Sequence, residues 1–228
     1  SIKLEEDFLV VAGVCSNQID ANLNPDEEES TPGRKDASVV RGYLSDLETS
    51  VINLGILTDG YDKFMEEAEK VALAYDRNGS AAVADFYAES GTRVQFQNKN
   101  PRGWAEFKAA LSEHSAAGAA NTMRGYQKTR PSLYDLEGKL TQLTVPTLIV
   151  TGDEDEPCLE PALYLKRTIP SAGLSILPKS GHTINLEEPD LFNRVIGDFL
   201  STVEQGRWTL RDPRSLGSAM LGKREASV

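Results

Sequence analysis

Apolar residues along this chain fall in two rhythms, and the change between them divides it. Asp7-Phe-Leu-Val-Val-Ala-Gly13 is a short unbroken apolar run ended by glycine, which predicts a buried strand. A polar, acidic stretch from Ser16 to Asp36 follows, with Asp26-Glu-Glu-Glu29 and the breaker Thr31-Pro-Gly33, and reads as a solvated loop. Spacings of three and four then take over. Val40, Leu44, Leu47 and Val51 share one helical face, and Phe64, Ala68, Val71 and Tyr75 share another. Asp85-Phe-Tyr-Ala predicts a further short helix. After the break at Asn98-Lys-Asn-Pro101, Trp104, Phe107, Leu111 and Ser115 predict one that continues through Ala120 to Tyr126. Residues from about 37 to 143 thus read as all-helical.

The texture changes at Leu143. Val145-Pro-Thr-Leu-Ile-Val-Thr-Gly152 predicts a strand, Leu159 to Thr168 a helix stopped by Pro170, and Gly173-Leu-Ser-Ile-Leu177 a second strand. Pro189 to Val203 predicts an amphipathic helix with Leu191, Val195, Phe199 and Leu200 inward. Strand–helix–strand–helix of this length is a parallel unit with a right-handed crossover. The expected organisation is a core strand in 1–15, an acidic loop and helical region over 16–143, an α/β core over 144–205, and an irregular tail over 206–228.

Composition narrows the function classes. The 228 residues carry a net charge of −11, which repels phosphate backbones and argues against a nucleic-acid partner. No apolar run approaches the roughly 20 residues of a membrane span. Two cysteines, Cys15 and Cys158, cannot build a disulfide framework. They suit the cytoplasm or another reducing intracellular compartment. No secretory signal is visible.

The chemistry sits where the two parallel strands end. Their carboxyl ends share one sheet edge, and loops leaving that edge converge on a crevice. The first loop is Gly152-Asp-Glu-Asp-Glu-Pro157 and the second Pro178-Lys-Ser-Gly-His-Thr183. A carboxylate and an imidazole are therefore delivered to neighbouring positions. A buried carboxylate facing imidazole Nδ1 fixes the tautomer and leaves Nε2 to accept a proton.

Strand–Gly–x–x–Asp, then strand–x–x–Gly–His 27 residues on, then Glu-Glu-Pro opening a helix, resembles the end of an α/β-hydrolase. Val145–Phe199, with Val-Pro-Thr-Leu-Ile-Val-Thr-Gly-Asp-Glu-Asp and Ser-Gly-His-Thr-Ile-Asn-Leu-Glu-Glu-Pro, carries it most closely. The resemblance implies an α/β fold: the C-terminal part of a parallel hydrolase sheet with an inserted, mostly helical cap. It implies Asp155 and His182 as the catalytic acid and histidine, and Phe8–Gly13 as the strand before the cap. It implies hydrolysis of an ester or other activated carbonyl compound, the substrate being small and apolar, with no cofactor and no metal. Asp153, Glu154 and Glu156 read as exposed loop acids. His114 reads as mid-helix in the cap, with lining the substrate pocket as the second reading. Trp104 and Tyr126 read as cap packing or, second, as substrate contacts.

The family's nucleophile sits in Gly-x-Ser-x-Gly on a sharp strand-to-helix turn, and no such pattern occurs here. Neither does the early His-Gly loop whose amide helps bind an oxyanion. Gly13-Val-Cys-Ser-Asn17 is a near match that would make Cys15 the nucleophile, but Asp20-Ala-Asn-Leu-Asn-Pro25 is a poor helix to follow it. Three accounts stay open. The nucleophile comes from an N-terminal half or a partner chain that completes the sheet; the chain is a catalytically inactive subunit or binding module of a larger assembly; or it uses a non-standard nucleophile.

Overall fold

The computed structural model describes residues 9–12, 61–129 and 131–216. Within these, three strands form one parallel sheet in chain order. They are β1 (Leu9–Ala12), β2 (Thr147–Gly152) and β3 (Ala172–Leu177). Leu9 faces Thr147, and Thr147 in turn faces Ala172, so β2 and β3 run level from there to the Gly152–Leu177 pair. All six residues of β2 are buried, as expected of a central parallel strand covered on both faces.

Two helices supply those covers. α6 (Glu156–Thr168) crosses from β2 to β3, and Cys158, Ala162 and Leu165 meet Ile149 on one face. α8 (Pro189–Glu204) lies on the other, where Phe199, with Leu191, Val195 and Leu200 beside it, meets Leu148, Val150 and Leu177. Alternate residues of one strand thus feed opposite cores. At about 25 cal/mol per Å² of apolar area, burial of this kind is the main force holding the layers together.

The helical region begins with α1 (Tyr61–Ala88), which contains both the Ala68–Tyr75 stripe and Asp85-Phe-Tyr-Ala. Gly79 divides it into two arms: its φ of 74° and ψ of 171° suit a residue without Cβ. The first arm and Val83 pack on Ala119, Ala120 and Met123; the end of the second, Ala84 and Ala88, packs on Phe96, Phe107 and Leu111. A 3₁₀ turn (Gly91–Arg93), α2 (Val94–Lys99), α3 (Pro101–Ser112), α4 (Ala116–Thr122), a π turn (Met123–Gln127) and α5 (Glu137–Leu140) follow.

The helix expected from Trp104 through Tyr126 is broken. α3 ends at Ser112, and Ser115 caps α4 by accepting from the Gly118 amide at 3.2 Å. A serine here competes with helix continuation by bonding the next turn's backbone. His114 therefore lies in a turn and not mid-helix.

The described part of the C-terminal segment has no strand or helix before a 3₁₀ turn at Pro213–Leu216, yet it is docked. The Trp208 indole donates to Ser171 O at 2.8 Å and meets Phe199 edge-on. The Arg211 guanidinium caps the end of α6, donating to Lys166 O and Arg167 O at 2.9 and 2.7 Å. The helix expected over Val40–Val51 lies outside the described residues. Among those residues, no helix is long and apolar enough to cross a membrane.

Candidate active site

Level parallel strands make the β2 and β3 loops leave the sheet side by side. Backbone bonds then stitch them: Asp153 N donates to Leu177 O at 3.0 Å and Glu154 N to Ser180 O at 2.9 Å. The Asp153 carboxylate accepts from Ser180 N at 3.1 Å. Gly152 makes the approach possible, since a Cβ there would stand 2.1 Å from Ser180 O.

Two further devices hold the second loop. The buried Glu187 carboxylate, at the end of α7 (Ile184–Glu187), accepts from Gly181 N at 2.6 Å, Thr183 N at 3.0 Å and Thr183 Oγ1 at 2.9 Å. Those donors bracket residue 182. From the helical region, Thr92 O accepts the His182 amide at 2.9 Å. The turn bearing Thr92 is set by the buried Arg93, whose Nη1 donates to Ser90 Oγ and Thr92 Oγ1, both at 3.0 Å. Its guanidinium lies over the Tyr87 ring at 4.1 Å. Gly181 is required here too, because a Cβ would stand 2.5 Å from Thr92 O.

The result is a short contact between two expected residues. His182 Nδ1 lies 2.8 Å from Asp155 Oδ2, with the carboxylate fully buried and the His182 side chain 15% exposed. Asp155 accepts the Nδ1 proton, so the exposed side of the ring presents Nε2. Cys158, in the first turn of α6, brings its thiol to 3.7 Å from the same Nδ1. Burial pushes that thiol up to about 11, opposed in part by its bond to His182. A thiol so protonated, on the Nδ1 side of the ring, is a poor nucleophile.

The other expected residues are spread out. Asp153, Glu154 and Glu156 are exposed. Glu154 is bonded by Gln95 Nε2 and pairs with Lys179 at 3.4 Å. His114 is half-buried and lines a cleft among the helices with Tyr75, Tyr87, Leu111 and Met123. Burial lowers its pKa, against a smaller opposite effect of Glu113. Trp104 lies outside that lining: its indole donates to Ala88 O at 2.8 Å, and the ring packs beside Phe107 and Leu111. Tyr126 is half-buried in the π turn, also outside that lining. Cys15 lies outside the described residues.

Glu187, Thr92, Arg93 and Cys158 were not expected at the site. Glu187 belongs to the Glu-Glu-Pro signal, which marks a helix start without disclosing that its first acid turns back on the histidine loop. Nothing in the order of residues signals the other three.

No family model matches the chain. It is 31% identical over 177 residues to a Bacillus subtilis (strain 168) protein with the provisional name 2-succinyl-6-hydroxy-2,4-cyclohexadiene-1-carboxylate synthase, covering 77% of this chain and 56% of that protein. It is 26% identical to 3-oxoadipate enol-lactonase 1 of Acinetobacter baylyi (strain ATCC 33305 / BD413 / ADP1), over 58% of this chain and 48% of that one. Among solved structures it superposes on MenH from S. aureus with a TM-score of 0.61 at 22% identity, covering 66% of this chain and 56% of that one. A thermophilic esterase from Thermogutta terrifontis gives 0.52 at 25% identity, over 62% and 51%. The chain spans about half the length of these relatives. With the parallel sheet and its helical region, these likenesses place the chain in the α/β-hydrolase fold family.

Proposed function

We propose that this chain supplies the acid–histidine pair of an α/β-hydrolase acting on an ester or related activated carbonyl compound. The observation that carries the reading is the 2.8 Å bond between His182 Nδ1 and the fully buried Asp155 carboxylate. Asp155 orients the ring and stabilises the imidazolium; His182 Nε2 takes the proton of the attacking hydroxyl and returns it to the leaving group. The names of the relatives, an enol-lactonase and an esterase among them, favour a carbonyl substrate. The cleft around His114 is the proposed place for its apolar part, with Trp104 and Tyr126 shaping the helices around it.

A base and its orienter form no covalent intermediate. The proposed nucleophile is a serine outside the described residues, on an N-terminal half or a partner chain. The second reading, an inactive binding subunit, is favoured by the lack of any Gly-x-Ser-x-Gly in the sequence. Fluorophosphonate labelling of material purified natively from the source organism separates the two. The hydrolase reading predicts a labelled serine that travels with this chain and is lost in His182→Ala. Native material with no labelled serine supports the binding subunit.

A further inference from the structure

The hydrolase reading needs Asp155 and His182 but gives Cys158 nothing to do. Yet Cys158 is 1% exposed and its thiol lies 3.7 Å from Nδ1 of the same pair. Potential ligand atoms of Asp155, Cys158 and His182 all lie within 4.8 Å of one another. Among the described residues Asp155 Oδ1 has no hydrogen-bond partner, although the residue is completely buried. A buried carboxylate oxygen facing nothing is costly, and a ligand that binds it removes the cost.

We propose that Asp155, Cys158 and Nδ1 of His182 form a binding site for a zinc-class divalent cation, and that occupancy locks the imidazole. One oxygen, one sulfur and one imidazole nitrogen suit zinc and its close relatives, whereas magnesium and calcium prefer oxygen alone. The spacing fits as well. Zinc bonds of about 2.3 Å to sulfur and about 2.0 Å to nitrogen put those atoms about 3.5 Å apart at a tetrahedral angle. The structure has them at 3.7 Å. Asp155 Oδ2, now 2.8 Å from Nδ1, needs about 3.3 Å, a swing of about half an ångström. The second carboxylate oxygen, the Oδ1 that has no hydrogen-bond partner, completes the shell.

The protons balance simply. Cys158 loses its proton to solvent and binds as thiolate. The imidazole proton leaves Nδ1, which takes the metal, and a proton settles on Nε2. Carboxylate and thiolate together neutralise the dication, so the occupied site buries no net charge. An imidazole protonated at Nε2 and metallated at Nδ1 accepts nothing from a hydroxyl. This consequence rests on the proposed base role of His182; the binding does not.

The test uses the natively purified protein with Zn²⁺ for stoichiometry and Co²⁺ as a spectroscopic stand-in. The proposal expects one zinc per chain and a thiolate-to-cobalt charge-transfer band in the near ultraviolet. Cys15→Ala should leave both intact. Cys158→Ala should abolish the band and weaken zinc at least about 100-fold, beyond what loss of an outer partner costs. Absence of stoichiometric zinc, a cobalt spectrum without a thiolate band, or a band that follows Cys15 overturns it. Should Cys158→Ala not fold, the unmutated protein still decides by histidine NMR: zinc must move the His182 ring signals, and a response at His114 alone refutes the site. Zinc binding that leaves fluorophosphonate labelling undiminished would keep the site and remove the locking, and with it the base role of His182.

Discussion

The chain has two histidines, and the fold treats them in opposite ways. His182 is held from three directions: its ring by Asp155, its amide by Thr92 O, and the residues on either side by the Glu187 carboxylate. His114 lies in a turn beside an apolar cleft, and no side-chain hydrogen bond holds its ring among the described residues. Direct bonds therefore fix His182, whereas packing in the cleft positions the His114 ring. A base needs fixed geometry to within a fraction of an ångström, whereas an apolar lining residue does not.

The contrast breaks most directly on deleting each ring. His182→Ala leaves the Asp155 carboxylate buried with no counterpart, which costs roughly 3–5 kcal/mol and is read by denaturant unfolding. Adding Asp155→Asn to that variant should recover part of the loss. A single-variant loss below about 1 kcal/mol would show that the pair is not coupled as described.

Glu187→Ala comes next. It strands two buried backbone amides beside His182 and should cost about 3 kcal/mol, with faster hydrogen exchange at Gly181 and Thr183. Unchanged exchange there would mean that the carboxylate does not hold the loop. Gly152→Ala forces a methyl against Ser180 O and should cost about 1–3 kcal/mol while driving the two loops apart. The separation would show as a weakened Asp155–His182 coupling in the NMR of the ring.

The smallest effect belongs to His114, and its sign is fixed. Burial lowers its folded-state pKa below the ordinary 6.5, so folding favours the neutral ring. That contribution is present above pH 6.5 and is lost as pH falls through the folded value. His114→Gln should flatten the pH dependence of stability below pH 6.5, by less than about 1 kcal/mol because the ring is half exposed. A histidine slope that survives this substitution would have to come from His182.

What could be read from sequence was local. Gly152–Asp155 and Gly181–His182 sit at strand ends whose apolar runs are visible, so the pairing of their loops followed from parallel geometry alone. Ser115 is also local, but its helical spacing with Leu111 hid its role as a cap, and the turn holding His114 was missed. Thr92 and Arg93 reach His182 across some ninety residues, through a backbone carbonyl that any residue type provides. Cys158 stands just before the helix expected from Leu159 and was read only as one of two cysteines too few for a disulfide framework; the fold brings it against a ring 24 residues on. Trp208 and Arg211 sit in a segment without periodicity, and their anchoring depends on which carbonyls are left open by α6 and by the turn before β3.

The central claim is that Asp155 fixes His182 with its proton on Nδ1 and Nε2 free to accept another. Nitrogen-15 NMR of the histidine rings tests it, with His114→Gln leaving a single residue to observe. Above its titration His182 should be in the Nδ1–H tautomer, with a strongly deshielded Nδ1 proton that moves upfield in Asp155→Asn. A ring found mainly as the Nε2–H tautomer, or one indifferent to Asp155→Asn, would contradict the account.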